Sequence, residues 1–450
     1  MEKSLRHKLT VASVWILRIL IGTVFVVSGT AKMIDPYGFI YKMEQYLAVW
    51  GWNIPDSLIL VASVGISSVE FMAGLTLATG SYKRASVWIL TAMMAGMLPL
   101  SIYIAVADPV DDCGCFGDFL IISNGLTCLK NVIITAALIW LLIYNRKVRG
   151  LYWPYLQWLQ VAIGGIYIAI VGILGYHDQP LIDFRSYKVG MPLLADASED
   201  ADVKFVYERD GERCEFSADE LPDSSWTYVD RVDPVSDERS LVLYDVDDDT
   251  DATDDVASEI STGDVMVLLV PDVQKAGVAN TYIINELNSY MQSRGGALLA
   301  LIGSDRDDTL EWMDMAMADY PVYLTEATAV KEIARGSMAV VYLRDGIILW
   351  KHTLWAIGAD MFDEYLPSGG LDMRMTIHGP RRFWNLTAAA TVALVILWII
   401  SRSAVGLRRR FWQKNKKKNV NLQQIGEAEN SSSEMKTDKD FTNLDNKELQ

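Results

Sequence analysis

Residues 14–31 read Val-Trp-Ile-Leu-Arg-Ile-Leu-Ile-Gly-Thr-Val-Phe-Val-Val-Ser-Gly-Thr-Ala, an apolar run interrupted once, by Arg18. A helix needs about 20 predominantly apolar residues to cross the hydrocarbon of a bilayer. Five similar runs follow, at Leu58 to Thr79, Ala85 to Ala107, Cys128 to Tyr144, Leu156 to Gly175 and Trp384 to Ile400. The chain is therefore expected to be a membrane α-helical protein with six spans. The first run is read as a retained anchor: Arg18 breaks the apolar region, the stretch is long, and Ser28 to Ala31 makes a poor cleavage site.

Charge orients the spans, because short cytoplasmic loops retain Lys and Arg. Lys3, Arg6 and Lys8 precede the first run, Lys83 and Arg84 separate the second from the third, and Arg146, Lys147 and Arg149 separate the fourth from the fifth. Arg402, Arg408, Arg409, Arg410 and Lys416 to Lys418 follow the sixth. All fall on one side if both termini are cytoplasmic. The other side receives Asp35 to Pro55, Asp108 to Asn124 and His177 to Arg382. The expected location is the bacterial inner membrane, with the large domain periplasmic.

Of the 450 residues 51% are hydrophobic, yet the formal net charge is -17, and the acidic residues crowd the long outer segment. Such a surface argues against nucleic acid as a partner, which requires basic patches. From about Asn419 the chain is polar and charged and reads as a disordered tail. Tyr37 to Trp50 places Phe39, Met43, Leu47 and Trp50 on one helical face, as an amphipathic helix on the membrane would, and is expected to roof the bundle.

The outer segment begins with two strands, Val203 to Tyr207 and Cys214 to Phe216, around the hairpin signal Asp210-Gly211. Ser240 to Asp245 reads as a strand, and the acid-rich Asp247 to Asp255 as a solvated loop lacking the glycine and final glutamate of an EF-hand. Strands then alternate with helices: Val265 to Val270, Ala279 to Ser293, Ala297 to Ile302, Thr309 to Met317, Tyr320 to Leu324 and Ala327 to Ala334. A hairpin closes the unit, Ala339 to Arg344 and Ile347 to Lys351, turning at Asp345-Gly346. This is an α/β pattern. Its order, with Arg335-Gly336-Ser337 leading into a strand, resembles thioredoxin-like domains over about Gly263 to His352. Where those domains carry Cys-x-x-Cys, Pro271-Asp272-Val273-Gln274-Lys275 stands here, and Met338 takes the place of their cis-proline. Without a thiolate this domain has no nucleophile for disulfide exchange.

In the first four spans, Arg18, Gly22, Phe25, Ser28-Gly29, Lys32-Met33, Glu70, Gly74 and the segment Asp112-Cys113-Gly114-Cys115-Phe116-Gly117-Asp118 resemble the methylamine utilisation MauE family, one of the DoxX-like four-helix membrane proteins. The layout with an appended thioredoxin-like domain is similar to a form found in Bacteroidetes-type bacteria. The resemblance implies a part in maturing disulfide-rich extracytoplasmic proteins. Through the similar bundles of vitamin K epoxide reductase and DsbB, it also implies a quinone as cofactor. The expected divisions are residues 1–150 (four-helix domain), 151–176 (fifth span), 177–262 (acidic hairpin and linker region), 263–383 (thioredoxin-like domain), 384–402 (sixth span) and 403–450 (tail).

Cys113 and Cys115 are the expected redox pair. They lie just beyond the third span on the oxidising side. A ring closed across one residue is strained and hence exchange-prone, and Gly114 permits the tight closure. Asp111, Asp112 and Asp118 are expected to disfavour the thiolate. Cys128, opening the fourth span, is either a resolving thiol or a buried apolar cysteine. Cys214 is expected to be a strand residue.

Arg18 and Glu70 are the clearest ionisable groups inside the spans. They are expected to meet, as an ion pair fixing helix packing or as quinone or proton ligands. Gly22, Gly29 and Gly74 are expected to be close-packing points. None of His7, His177, His352 and His378 lies in a span, which excludes a bis-histidine haem within the bundle and speaks against a histidine-rich zinc centre. Three functions stay open: a membrane thiol–disulfide redox protein serving an extracytoplasmic client, a non-enzymatic assembly protein with a structural disulfide, and a DoxX-type subunit of a quinol-oxidising complex.

Overall fold

A computed structural model describes residues 2–107, 110, 113–120, 122–194, 204–209, 212–217, 226–232, 241–279, 281–357, 379–406, 408 and 412. The Asp210-Gly211 turn, Asp111, Asp112 and the tail beyond residue 412 lie outside them. Among the described residues six helices are long and apolar enough to cross a membrane. They are α1 (Glu2–Ile34), α3 (Asp56–Thr79), α4 (Lys83–Ala107), α5 (Asn124–Tyr144), α6 (Gln157–His177) and, in its apolar stretch, α12 (Gly379–Gly406), with α2 (Pro36–Val49) lying between the first two.

The closest pair is α1 and α3, and glycine makes the approach possible. A Cβ on Gly22 would stand 2.7 Å from Ala78 Cβ, one on Gly74 would stand 2.8 Å from Val26 N, and one on Gly29 would stand 2.6 Å from Phe71 N. Close backbone contact is how apolar helices associate where lipid competes for every hydrophobic surface. The loops bearing Lys83, Asn145 and Arg149 gather at one end of the bundle, where Asn145 Nδ2 donates to Lys83 O at 2.8 Å. The end of α12 joins them: Trp153 N donates to Ser401 Oγ at 2.6 Å. The basic loops thus share one face.

The strands β1 (Lys204–Arg209), β2 (Glu212–Ser217) and β3 (Thr227–Val232) form a sheet in the order β2-β1-β3. The first two make the expected hairpin pair, with Cys214 opposite Tyr207. The third strand was not legible beforehand: Thr227-Tyr228-Val229-Asp230 lacks an apolar face long enough to announce it.

The second sheet comprises β4 (Tyr244–Asp245), β5 (Asp264–Val270), β6 (Ala297–Ile302), β7 (Val322–Leu324), β8 (Ala339–Arg344) and β9 (Ile347–Thr353), in the order β4-β7-β6-β5-β8-β9. Neighbours β5, β6 and β7 are parallel, and β8 and β9 run antiparallel. Met266, Leu268 and Val270 face one core with α9 (Thr281–Ser293) and α10 (Arg306–Ala316). Val265, Val267 and Leu269 face another with α7 (Thr253–Ile260) and α11 (Ala327–Ile333). A central strand covered on both faces reads as a continuous apolar run, as 265–270 does. This is the thioredoxin-like α/β architecture expected. Two details differ: α7 begins inside the expected acidic loop, with Asp254 and Asp255 favourably placed in its first turn, and the single-turn α8 (Val273–Ala276) occupies the position of the missing Cys-x-x-Cys.

The α/β domain sits directly on the bundle. Asp35 caps α2 by accepting from Gly38 N at 3.0 Å, and its other oxygen accepts from Arg335 Nε at 2.9 Å. Arg335 also pairs with Asp118. On the same helix Glu44 pairs with Lys275 at 3.4 Å. The helix α2 is thus the roof expected, with the outer domain on top of it. Ile40 is its buried apolar anchor.

Candidate functional site

Past the last turn of α4 the chain folds back over its own apolar end. Gly114 adopts φ +65, a left-handed conformation that glycine accepts without a Cβ penalty. This bend sends Cys113 and Cys115 to the same side, and their sulfurs stand 3.1 Å apart, unbonded and hydrogen-bonded to one another. Both side chains are buried, 8% and 9% exposed, in a cluster with Ile104 and Phe116, against which Val24, Tyr46, Met97 and Leu100 pack. Backbone ties hold the loop: Ser28 Oγ donates to Cys115 O, and Tyr46 Oη donates to Cys113 O at 3.1 Å. Lys42 covers Gly114.

The sulfur–sulfur hydrogen bond divides the pair. It holds the Cys115 thiol below its ordinary value, at about 7, although burial works the other way. The same hydrogen bond, with burial, pushes Cys113 up. The shared contact thus favours ionisation of one sulfur over the other. Lys130 and Lys32 add positive charge that favours the ionised sulfur. Lys130 Nζ lies 4.5 Å from the Phe116 ring centroid, and Lys32 Nζ bonds Glu70 Oε2 at 2.7 Å. Of the three carboxylates expected to disfavour the thiolate, Asp111 and Asp112 lie outside the described residues. Asp118 is taken up by Arg335, and lysines supply the charge acting on the sulfurs.

The expected meeting of Arg18 and Glu70 is also corrected. Opposed positions on α1 and α3 have numbers that total about 100 (Gly22 with Ala78, Val26 with Gly74, Gly29 with Phe71). Arg18 is therefore level with position 82, about 18 Å along the helix from Glu70 at 1.5 Å per residue. The partner of Glu70 is Lys32. Arg18 instead donates to Asn145 Oδ1 at 2.5 Å, Asn145 O at 2.8 Å, Val148 O at 3.0 Å and Arg149 O at 3.1 Å. Arg18 and Glu70 thus both spend hydrogen bonds within the protein, at different depths of the bundle. Cys128, half-buried in the first turns of α5, is not among the side chains packed around the pair.

Sequence reasoning missed Lys130 and Tyr46, and it named Ser28, Lys32 and Arg335 as motif residues without giving them a role at the site. For Lys32 a signal existed: a buried glutamate requires a cation, and the chain offered two.

Above the pair, the surface of the α/β domain that bears the reactive pair in thioredoxins faces α2. A crevice there is lined by Tyr37, Tyr41, Pro271, Lys275, Gly336 and Ser337. Met338 is buried in the domain core.

Residues 10–144 match the family model described as Methylamine utilisation protein MauE, and residues 201–238 match a domain of unknown function. No curated protein matches the chain. Among solved structures, one assigned as a protein disulfide isomerase from Bacteroides thetaiotaomicron is 14% identical, with TM-score 0.23, over 30% of this chain and 85% of that one. An uncharacterised conserved protein from Geobacillus kaustophilus is 15% identical, with TM-score 0.20, over 24% of this chain and 63% of that one. At these scores neither likeness carries an argument about activity. The chain is a multi-pass membrane protein with a MauE segment and a thioredoxin-like α/β domain.

Proposed function

We propose that the chain is a thiol–disulfide exchange protein of the bacterial inner membrane, with its basic face cytoplasmic and its α/β domain periplasmic, acting on an extracytoplasmic client. The observation that carries this reading is the pair of unbonded sulfurs 3.1 Å apart, one of them acidified, beside two lysines.

Exchange begins with the Cys115 thiolate attacking one sulfur of a client disulfide. The client's other sulfur leaves as a thiolate and is protonated, and a mixed disulfide remains. Cys113 then attacks the Cys115 sulfur, its proton passing to the departing client sulfur. Two electrons move from the pair to the client, and the reverse sequence oxidises the client. The α/β domain, which has an apolar residue and a short helix where thioredoxins hold their reactive groups, contributes docking.

Trapping thiols in intact cells tests the reading. The pair is expected to shift between reduced and oxidised forms with the external redox poise, and Cys113→Ser is expected to accumulate a mixed disulfide through Cys115. A pair locked in one state under every condition would make the site structural.

A further inference from the structure

The basic face holds a second site. A cavity of about 730 Å³ lies between the α3–α4 loop, the α5–α6 connection and the end of α12, lined by Lys83, Arg149, Tyr152, Trp153, Arg402 and Arg408 among others. The described chain segments that build it, residues 80–86, 145–157, 401–406, 408 and 412, contain no Asp or Glu. No carboxylate pairs with any of the four cations among the described residues. Behind the wall Arg18, wholly buried, adds a fifth positive charge. Every acceptor it bonds is a neutral amide or carbonyl oxygen, including Arg149 O of the cavity lining. Buried charge with no counterion is costly, and an anion in the cavity would lower that cost.

The walls are built. Trp153 N is fixed to the buried Ser401, Tyr152 Oη donates to Leu394 O at 3.0 Å, and Gly150 lies so close to Gly80 that a Cβ would stand 2.2 Å from its carbonyl oxygen. The position decides the kind of anion. The cavity lies where α5 ends, α6 begins and α12 ends, and its lining includes Trp153 and Trp412, a residue type enriched at bilayer interfaces. Leu151 and Val405 continue the lining in apolar form. A soluble anion would use the cations and leave this surface idle. The net charge of -17 on the whole chain also offers no general attraction for anions.

We infer that this cavity binds the anionic headgroup of a membrane glycerophospholipid, the phosphate lying among Lys83, Arg149, Arg402 and Arg408 with the acyl chains running down beside α12. Basic pockets between spans on the cytoplasmic side suit such headgroups. The lipid would join α12 to the rest of the bundle through charges that otherwise repel one another.

The test uses the full chain in neutral detergent, with melting followed by tryptophan fluorescence. Added dioctanoyl-phosphatidylglycerol should raise the melting temperature saturably, dioctanoyl-phosphatidylcholine should do so far less, and inorganic phosphate at equal concentration should not. Each cation near a membrane surface contributes about 1 kcal/mol toward an anionic lipid, so R149Q/R402Q should weaken half-saturation by roughly tenfold or more. The variant R146Q, changed on the same face outside the lining, should respond as the unmodified chain does. If the double variant fails to fold, R402Q alone, on an exposed side chain, should still shift half-saturation severalfold. Equal responses to the two lipids, or an unchanged response in R149Q/R402Q or R402Q, would overturn the site. A response to inorganic phosphate matching the lipid's would make it a small-anion site and overturn the lipid assignment.

Discussion

The chemistry of Cys115 depends on atoms within a few ångströms of its sulfur. Because the shared hydrogen bond brings the thiol to about 7, its alkylation rate should rise with pH through about 7, where a free thiol rises near 8.5. Lys130→Gln removes a positive charge that favours the thiolate and should move this midpoint upward. Cys113→Ser, which replaces the sulfur that shares the hydrogen bond, should alter it too. Glu70→Gln has the opposite sign to Lys130→Gln, since the glutamate charge raises the Cys115 value. Mass-spectrometric alkylation profiles of the single-cysteine products measure all three. An identical midpoint in Lys130→Gln would remove the lysine from the account.

At the scale of elements, the segment after α6 is locked to the α/β domain by Asp183. Its carboxylate accepts from Arg185 Nε at 2.8 Å and from Lys351 Nζ of β9 at 2.5 Å. Lys351 also donates to Tyr187 O and, at the end of α11, to Ile333 O. Burial would raise the Asp183 carboxyl, but Arg185 and Lys351 outweigh it and hold the group down at about 2. A depressed carboxyl stabilises the fold fully above its unfolded value near 4 and loses that contribution as pH falls through about 2, a span worth about 2 kcal/mol. Asp183→Asn leaves two buried cations without their counterion and should cost about 3 kcal/mol at neutral pH. Melting curves should show the unmodified chain losing more stability than this variant between pH 4 and pH 2. Parallel curves would mean that the carboxylate is not the group responsible.

For the whole molecule the question is access. The sulfurs are nearly enclosed, under Lys42 and Tyr46 of α2, and α2 is pinned from above by Arg335 through Asp35 and Asp118. Asp118 lies three residues beyond Cys115, so one guanidinium of the α/β domain holds both the roof and the cysteine loop. Arg335→Gln removes the charge from this clamp. A buried pair broken on one side costs several kcal/mol, so the alkylation rate of Cys113 and Cys115 should rise on the order of tenfold or more, with far-ultraviolet circular dichroism unchanged. An unaltered rate would show that the reagent reaches the pair by another route.

Much of this protein was legible in one dimension. Six spans follow from the length of the apolar runs, and their common basic face from lysine and arginine in short loops, because both depend on composition and on the thickness of a bilayer. The central strand 265–270 reads from its unbroken apolar character, and the Cys-Gly-Cys segment announces itself. Pairings across the chain were not legible. Glu70 had two possible cations, and only the register set by Gly22, Gly29 and Gly74 decides for Lys32 and leaves Arg18 among carbonyls. Neither Arg335, some 200 residues beyond Asp118, nor the cavity built from three basic segments has any local signal. The sequence alone determined which segments are apolar enough to enter the membrane and where two cysteines stand one residue apart, since hydropathy and residue type are local properties. Tertiary structure alone decided which charges face that pair, because a charge acts through distance in space.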